Sequence, residues 1–183
     1  MSGADIALTA FINSFAGEWR WLDLVAIGVS RIGVAAMVVA VAARWWARQD
    51  RQSERHAALV CGISFLLGLG LNQLLLFFIH RPRPYEAGIT HLLIPASQDW
   101  SFPSDHATAA SAIVFAYLLL GHRGKALASA AAALLIVLSR VYLGTHYVSD
   151  IIGGSATALI AAFAVVRLYR PGSPFDRWIT GLL

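Results

Sequence analysis

Charged residues and cysteines are scarce in this chain. Of its 183 residues only 13% are Asp, Glu, Lys or Arg, about half of the roughly 25% expected of a soluble domain. The single cysteine, Cys61, lies in an apolar run, which excludes a disulfide or a multi-cysteine metal site within one chain. No basic residue precedes the first apolar stretch, so we expect no cleavable signal peptide.

Hydrophobic residues dominate instead. They make up 58% of the chain, and a mean hydropathy of +0.65 indicates an integral membrane protein. The length allows one membrane domain, residues 1–183, without an appended soluble module. A short apolar run at residues 4–15 predicts an N-terminal helix lying in the membrane interface. Longer runs predict an all-α bundle with five transmembrane helices, at residues 22–43, 56–79, 104–120, 126–142 and 151–166.

The basic residues predict the orientation of this bundle. With five crossings, nine of the fourteen Lys and Arg residues fall on one side, and the positive-inside rule makes that side the cytoplasm. The C-terminus is then cytoplasmic. The net charge of +4 therefore reflects membrane orientation, and we expect no nucleic-acid partner.

Arg31 is unusual because it lies within the first predicted span. An arginine at this depth costs about 2.5–3.5 kcal/mol on insertion scales. It either faces the bundle interior in a functional role, or it snorkels or pairs with a neighbouring carboxylate.

The segment from Ser139 to Asp150 carries the most informative polar residues. If the backbone is helical from His146 onward, His146 and Asp150 share a face, and the carboxylate can accept the Nδ1 proton and leave Nε2 as a nucleophile. Arg140 adds a guanidinium suited to phosphoryl oxygens. On its own, a His–Asp pair four apart is more often a helix-face hydrogen bond than a catalytic pair.

Two further polar motifs favour the catalytic interpretation of this pair. His80-Arg-Pro-Arg-Pro84 follows the second predicted span, and Pro103-Ser-Asp-His106 opens the third, where Ser104 is suited to be the N-cap. The predicted topology places both motifs and the Ser139–Asp150 segment at the outer ends of their helices. We therefore predict that they meet in one site.

Together these motifs resemble the type 2 phosphatidic acid phosphatase (PAP2) family of integral-membrane lipid phosphatases, whose fold and site are shared with vanadium haloperoxidases. The family's third motif is Ser-Arg, five residues, His, three residues, Asp. Ser139, Arg140, His146 and Asp150 match it completely. The resemblance covers roughly residues 72–150, and this motif is highly specific.

The other two family motifs match in part. The second is Pro-Ser-Gly-His, and Asp105 stands here in place of the glycine. The form Phe-Pro-Ser-Asp-His resembles the bacterial branch that hydrolyses undecaprenyl diphosphate. The first motif is Lys, six residues, Arg-Pro, of which Arg83 and Pro84 are present while Leu76 takes the place of the lysine.

Both departures affect the phosphate site that the resemblance implies. The carboxylate of Asp105 repels phosphate unless it turns away, and Leu76 removes a cation. We hypothesise that Arg31 or Arg81 supplies the missing positive charge.

The resemblance also implies a role for each site residue. His146 is the nucleophile and forms a phosphohistidine, Asp150 orients it, and His106 protonates the leaving oxygen. Neither a metal nor another cofactor is expected. The phosphate-binding set is Arg83, Ser104, Asp105 and Arg140, with Arg81 and Arg31 as candidates.

The expected function is hydrolysis of a polyprenyl diphosphate, foremost undecaprenyl diphosphate, to the monophosphate. The expected location is the bacterial inner (plasma) membrane with the site facing outside, where the reaction recycles the carrier of cell-wall precursors. The partners are this lipid and the membrane, and the sequence does not predict an oligomeric state.

Other functions stay open from the sequence. A phosphatase for phosphatidate, phosphatidylglycerol phosphate or another polyprenyl-linked phosphate shares every catalytic residue, and a lipid phosphotransferase is a minor alternative. From another class, a non-enzymatic transport or interaction protein can line a pathway with Arg and His.

Overall fold

The computed structural model describes residues 2–182, and within them it contains no β-strand. A 3-10 helix, Arg44–Trp46, follows the second of the α-helices. This confirms the all-α prediction. The α-helices are Gly3–Asn13 (α1), Arg20–Ala43 (α2), Arg51–Leu76 (α3), Asp105–Leu119 (α4), Arg123–Tyr142 (α5), Val148–Leu168 (α6) and Pro174–Thr180 (α7).

Four of these helices, α2 with its 3-10 extension, α3, α5 and α6, are long and apolar enough to cross a membrane. The chain is therefore a multi-pass membrane protein, as predicted. The predicted total of five is not confirmed, because α4 has only 15 residues. A helix of that length spans roughly 22 Å, less than the hydrocarbon core of about 30 Å.

Helix α4 lies at the centre of the bundle, in contact with α3, α5 and α6. It is rich in alanine, and Ala107, Ala110 and Ala116 are fully buried. Small side chains let neighbouring helices approach closely. Where α4 begins, the main chains come close at Gly154 of α6, where a Cβ atom would lie 2.5 Å from the main-chain oxygen of Ser104. The first turn of α4 is therefore fixed against α6.

The opposite end of the bundle carries contacts around two buried acidic side chains, Glu54 and Asp176. Helix α3 begins at Arg51, five residues before the predicted start of this span, because Glu54 in its first turn pairs with Arg44 and with Lys125. His56 is buried, and its Nδ1 lies 2.7 Å from Asp176 of α7. The last predicted span ends at residue 166, so the sequence analysis missed α7.

Helix α1 contacts the end of α5 and the start of α6. The side-chain amide of Asn13 donates to the main-chain oxygens of His91 and Tyr142 at 2.9 and 2.8 Å, and its oxygen accepts from the main-chain N–H of His91. These three hydrogen bonds hold the connection between α5 and α6, residues 143–147, in place next to Gly144. Gly144 has a φ of +80°, and a Cβ there would overlap the oxygen of His91, so only glycine fits.

Candidate active site

A small polar cavity of about 110 Å³ lies at the end of the bundle where α4 begins. This space is enough for a phosphoryl group. The three sequence motifs meet here, as predicted from the topology. The lining residues are Leu76, Arg83, Ser97, Asp99, Trp100, Pro103, Asp105, His106, Arg140 and His146.

Arg83 is fixed in the wall of this cavity by main-chain carbonyls. Its side chain is 3% exposed. Nη1 donates to the oxygen of Thr145 at 2.9 Å, and Nε donates to the oxygen of Asp99 at 3.0 Å. Nη2 forms an ion pair with Oδ1 of Asp99 at 2.8 Å. The guanidinium is thus held in place before any ligand is bound.

Arg140 reaches the same cavity from the last turn of α5. Its Nη1 donates to Oγ of Ser30 on α2 at 2.6 Å, and its Nε is buried without a hydrogen-bond partner among residues 2–182. Two guanidinium groups therefore line one cavity. Guanidinium forks suit the paired oxygens of a phosphate.

His146 carries its proton on Nδ1 because of its two neighbours. Nδ1 lies 2.8 Å from the main-chain oxygen of Ser101, which can only accept a hydrogen bond. Nε2 lies 3.3 Å from Nη1 of Arg83, which can only donate. Both contacts select the tautomer with a lone pair on Nε2, directed to the guanidinium that lines the cavity.

The surroundings of His146 also favour its neutral form. Burial is the main cause that lowers the pKa of His146, and the positive charges of Arg83 and Arg140 act in the same direction. Contact with the Asp150 carboxylate opposes them without reversing the shift. A neutral imidazole with a free Nε2 lone pair is the form that acts as a nucleophile.

The geometry of the His146–Asp150 pair differs from the prediction. Helix α6 begins at Val148, with Tyr147 as its N-cap, so His146 precedes the helix. Oδ2 of Asp150 accepts from the main-chain N–H of Tyr147 at 2.8 Å and from Oγ of Ser101 at 2.5 Å, and lies 3.5 Å from Nδ1 of His146. The main-chain oxygen of Ser101, at 2.8 Å, is therefore the closer partner of Nδ1, and the Asp150 carboxylate interacts with the ring from 3.5 Å.

Ser104 and Asp105 lie beside the cavity in different ways. Ser104 is the N-cap of α4, as predicted, but its side chain forms no capping bond, and its buried hydroxyl has no partner among residues 2–182. Oδ1 of Asp105 accepts from the side-chain amide of Asn72 on α3 at 2.7 Å. This bond turns the carboxylate toward α3.

Neither candidate replacement for the missing family cation lines the cavity. Arg31 is exposed on α2, because the adjacent Ser30 takes the buried face, and successive residues project about 100° apart around a helix. Arg81 forms ion pairs with Asp5 and Asp150 at 2.8 and 2.6 Å. Leu76, at the family's lysine position, does line the cavity.

The sequence interpretation missed the contribution of the loop before α4. Ser97, Asp99 and Trp100 line the cavity, and Ser101 contacts both His146 and Asp150. The only signal was a polar stretch between two motifs. Such a stretch does not indicate which of its side chains turns inward.

A membrane-embedded helical bundle that holds a histidine and two arginines in one small cavity has the architecture of a membrane phosphatase. Residues 57–172 match the PAP2 superfamily. The chain belongs to this superfamily and is a hydrolase of the lipid phosphatase class. The resemblance noted in the sequence is confirmed.

Relatives extend this similarity over most of the chain. It is 35% identical over 153 residues to the undecaprenyl-diphosphatase BcrC of Bacillus subtilis (strain 168), covering 82% of this chain and 78% of the relative. It is 30% identical over 159 residues to phosphatidylglycerophosphatase B of the same strain, covering 79% and 74%. Among solved structures, a transmembrane PAP2 type phosphatidylglycerolphosphate phosphatase from Bacillus subtilis superposes with a TM-score of 0.67 at 26% identity, covering 91% of this chain and 88% of that one.

Proposed function

We propose that this protein hydrolyses undecaprenyl diphosphate, or a closely related polyprenyl diphosphate, to the monophosphate and inorganic phosphate. The observation that carries the proposal is the cavity in which Arg83, Arg140 and His146 meet. The similarity to the undecaprenyl-diphosphatase BcrC supports the choice of substrate. A diphosphate is also the easier substrate, because a lipid phosphate leaves more readily than an alkoxide.

The reaction has two steps in this proposal. Nε2 of His146 attacks the terminal phosphorus, and the bond from phosphorus to the bridging oxygen breaks, so that the lipid monophosphate leaves. His106 protonates the leaving oxygen and then activates the water that cleaves the phosphohistidine, releasing inorganic phosphate. Asp150 stabilises the positive charge that develops on the ring.

The phosphate group is bound by Arg83 and Arg140. Both are positioned before substrate arrives, and preorganised charge stabilises the equatorial oxygens of the transition state. The hydroxyl of Ser104, buried without a partner within residues 2–182, donates to one of these oxygens. Asp105 contributes through its hydrogen bond to Asn72, which directs its negative charge away from the phosphate.

In the membrane, residues 1–183 form a single domain with five crossings, of which α4 is the third in chain order and the shortest. The basic residues at the ends of α2, α5 and α6 favour a cytoplasmic C-terminus, and the cavity then opens to the outside of a bacterial inner membrane. The product is the form of the lipid that recycles as a carrier for cell-wall precursors.

Phosphatidylglycerol phosphate is the second candidate substrate. It is favoured by the similarity to phosphatidylglycerophosphatase B and by the structural match to a phosphatase for the same lipid. The polar cavity is common to both substrates, since each has a terminal phosphoryl group for Arg83 and Arg140 to bind.

A substrate panel with purified protein in detergent, with chelator present, tests the proposal. We expect phosphate release from undecaprenyl diphosphate to exceed that from phosphatidylglycerol phosphate and phosphatidate, and to be lost in His146→Ala. A preference for phosphatidylglycerol phosphate would establish the second candidate. Full activity of His146→Ala would contradict the assigned chemistry.

A further inference from the structure

One face of α1 is polar although the helix is otherwise apolar. Asp5, Thr9 and Asn13 are four residues apart and therefore lie on one side of the helix. Thr9 is fully buried and Asn13 is 5% exposed. This face packs against the start of α6, just after His146 in the sequence. Asp5 accepts from the N–H of Ser149 at 2.9 Å, and Thr9 accepts from the N–H of Val148 at 3.1 Å.

Arg81 connects this face to the catalytic centre. Its Nη2 donates to Oδ2 of Asp5 at 2.8 Å, and its Nη1 donates to Oδ1 of Asp150 at 2.6 Å. Nη1 also contacts Oγ of Ser149, and the guanidinium lies over the ring of Tyr147 at 3.9 Å. Both terminal nitrogens are therefore engaged, and a substrate phosphate would have to displace a carboxylate to bind them.

The charges in this network depend on each other. The side chain of Asp150 is fully buried, and Arg81 is its cationic hydrogen-bond partner among residues 2–182. An unpaired carboxylate at such depth is strongly unfavourable. Asp5 fixes the other nitrogen of Arg81 at a site where both side chains are largely buried, at 10% and 14% exposure. Arg81 is thus held in a single orientation between two carboxylates.

Asp150 in turn contacts Ser101, which hydrogen-bonds to the ring of His146. Its Oδ2 accepts from Oγ of Ser101, and the main-chain oxygen of the same serine accepts from Nδ1 of His146. A displacement of Asp150 therefore reaches the imidazole both directly and through Ser101. The chain of contacts runs from Asp5 through Arg81 and Asp150 to the ring.

We propose that Arg81, held by Asp5 of α1, is a positioning residue for the reaction: it fixes Asp150, and through Asp150 it fixes His146. The inference rests on the proposed function, in which His146 attacks the phosphate. It replaces the idea that Arg81 binds phosphate. It also makes α1 part of the catalytic architecture, although no residue of α1 lines the cavity.

A double-mutant cycle on the full-length protein tests this inference, with undecaprenyl diphosphate as substrate. We expect Arg81→Gln to lower kcat roughly 10-fold to 100-fold, a range typical of residues that orient a functional ligand indirectly, with little change in KM. In an Asp150→Asn background, Arg81→Gln is expected to lower kcat less than about 3-fold, because the carboxylate that Arg81 holds is already altered. Arg81→Lys, which keeps the charge, is expected to recover part of the loss.

Two further variants keep the test independent of folding. Asp5→Asn leaves Arg81 in place, and we expect a smaller loss of kcat that also disappears in the Asp150→Asn background. Arg20→Gln removes a charge on the same side from an exposed residue and is expected to retain wild-type kcat. Thermal unfolding in detergent identifies any variant that is inactive because it fails to fold.

The outcomes separate this inference from the proposed function. An inactive wild type or a fully active His146→Ala variant contradicts the proposed function. With those two controls as expected, the inference is overturned by equal losses in both backgrounds or by unchanged activity of Arg81→Gln. A raised KM with unchanged kcat would overturn it as well, since it indicates direct phosphate binding.

Discussion

Asp99 accepts a hydrogen bond from Nη2 of Arg83 at 2.8 Å, at the mouth of the cavity where the proposed substrate binds. The two partners differ in environment, since the side chain of Arg83 is 3% exposed and that of Asp99 is 56% exposed. The exposed carboxylate can leave the pair at small cost, whereas the guanidinium is fixed. An arriving phosphate therefore competes with Asp99 for Arg83.

This competition predicts that Asp99→Asn binds substrate more tightly. Exposed ion pairs contribute about 0.2–1 kcal/mol, so KM should fall by up to about 5-fold while kcat changes little. Steady-state kinetics in detergent measures both constants. Glu18→Gln is the matched control, because it removes the same charge from an exposed residue outside the cavity lining. A KM that is unchanged or higher in Asp99→Asn would contradict the competition.

Leu76 marks a position where a cation can be added to the cavity. Leu76→Lys is expected to strengthen inhibition by orthovanadate, an analogue of the pentacoordinate phosphoryl group, about 10-fold, which corresponds to about 1.4 kcal/mol. Burial of the ammonium group offsets part of the coulombic gain. Leu74→Lys is the control, because Leu74 is 57% exposed and does not line the cavity. Equal inhibition constants for both variants and the wild type would show that residue 76 does not face the bound anion.

The pH dependence of turnover reports the environment of His146. Because burial lowers its pKa below the ordinary 6.5, the nucleophile stays neutral at pH values where an exposed histidine is already protonated. The acid limb of kcat/KM, which reports the free enzyme, is therefore expected to have its midpoint below pH 6.5. A midpoint at or above pH 6.5 would mean that the nucleophile is not shielded in this way.

Gly144 and Gly88 form a matched pair for testing the 143–147 connection. Both have positive φ, +80° and +69°, but only Gly144 has neighbours where a Cβ would lie. Each alanine substitution carries a backbone cost of roughly 1–2 kcal/mol, and Gly144→Ala adds a clash with His91. We expect a larger drop in Tm and in kcat for Gly144→Ala than for Gly88→Ala. Equal drops would show that the contact with His91 does not position His146.

Much of this site follows from the sequence because its motifs lie at the ends of long apolar helices. The predicted alternation of crossings puts Arg83, His106 and Arg140 on one side of the membrane, and the structure places them in one cavity. The hydrophobic pattern was thus sufficient to predict which residues meet, without any information on side-chain contacts.

Other features depend on contacts that no local pattern encodes. The start of α6 at Val148 follows from the hydrogen bond between Asp150 and the N–H of Tyr147, and this placed His146 before the helix. Arg81 was a plausible phosphate ligand until its contact with Asp5, 76 residues away, was seen. The burial of His56 similarly requires α7 and its Asp176.

The most direct test of the account is to trap the covalent intermediate with undecaprenyl diphosphate labelled with ³²P in its terminal phosphate. We predict that rapid quenching yields labelled protein in which the phosphate is acid-labile and base-stable, as expected of phosphohistidine, and maps to the peptide containing His146. The label is expected to be absent from His146→Ala. Label on another residue, or persistence of the label in His146→Ala, would contradict the assignment of this imidazole as the nucleophile.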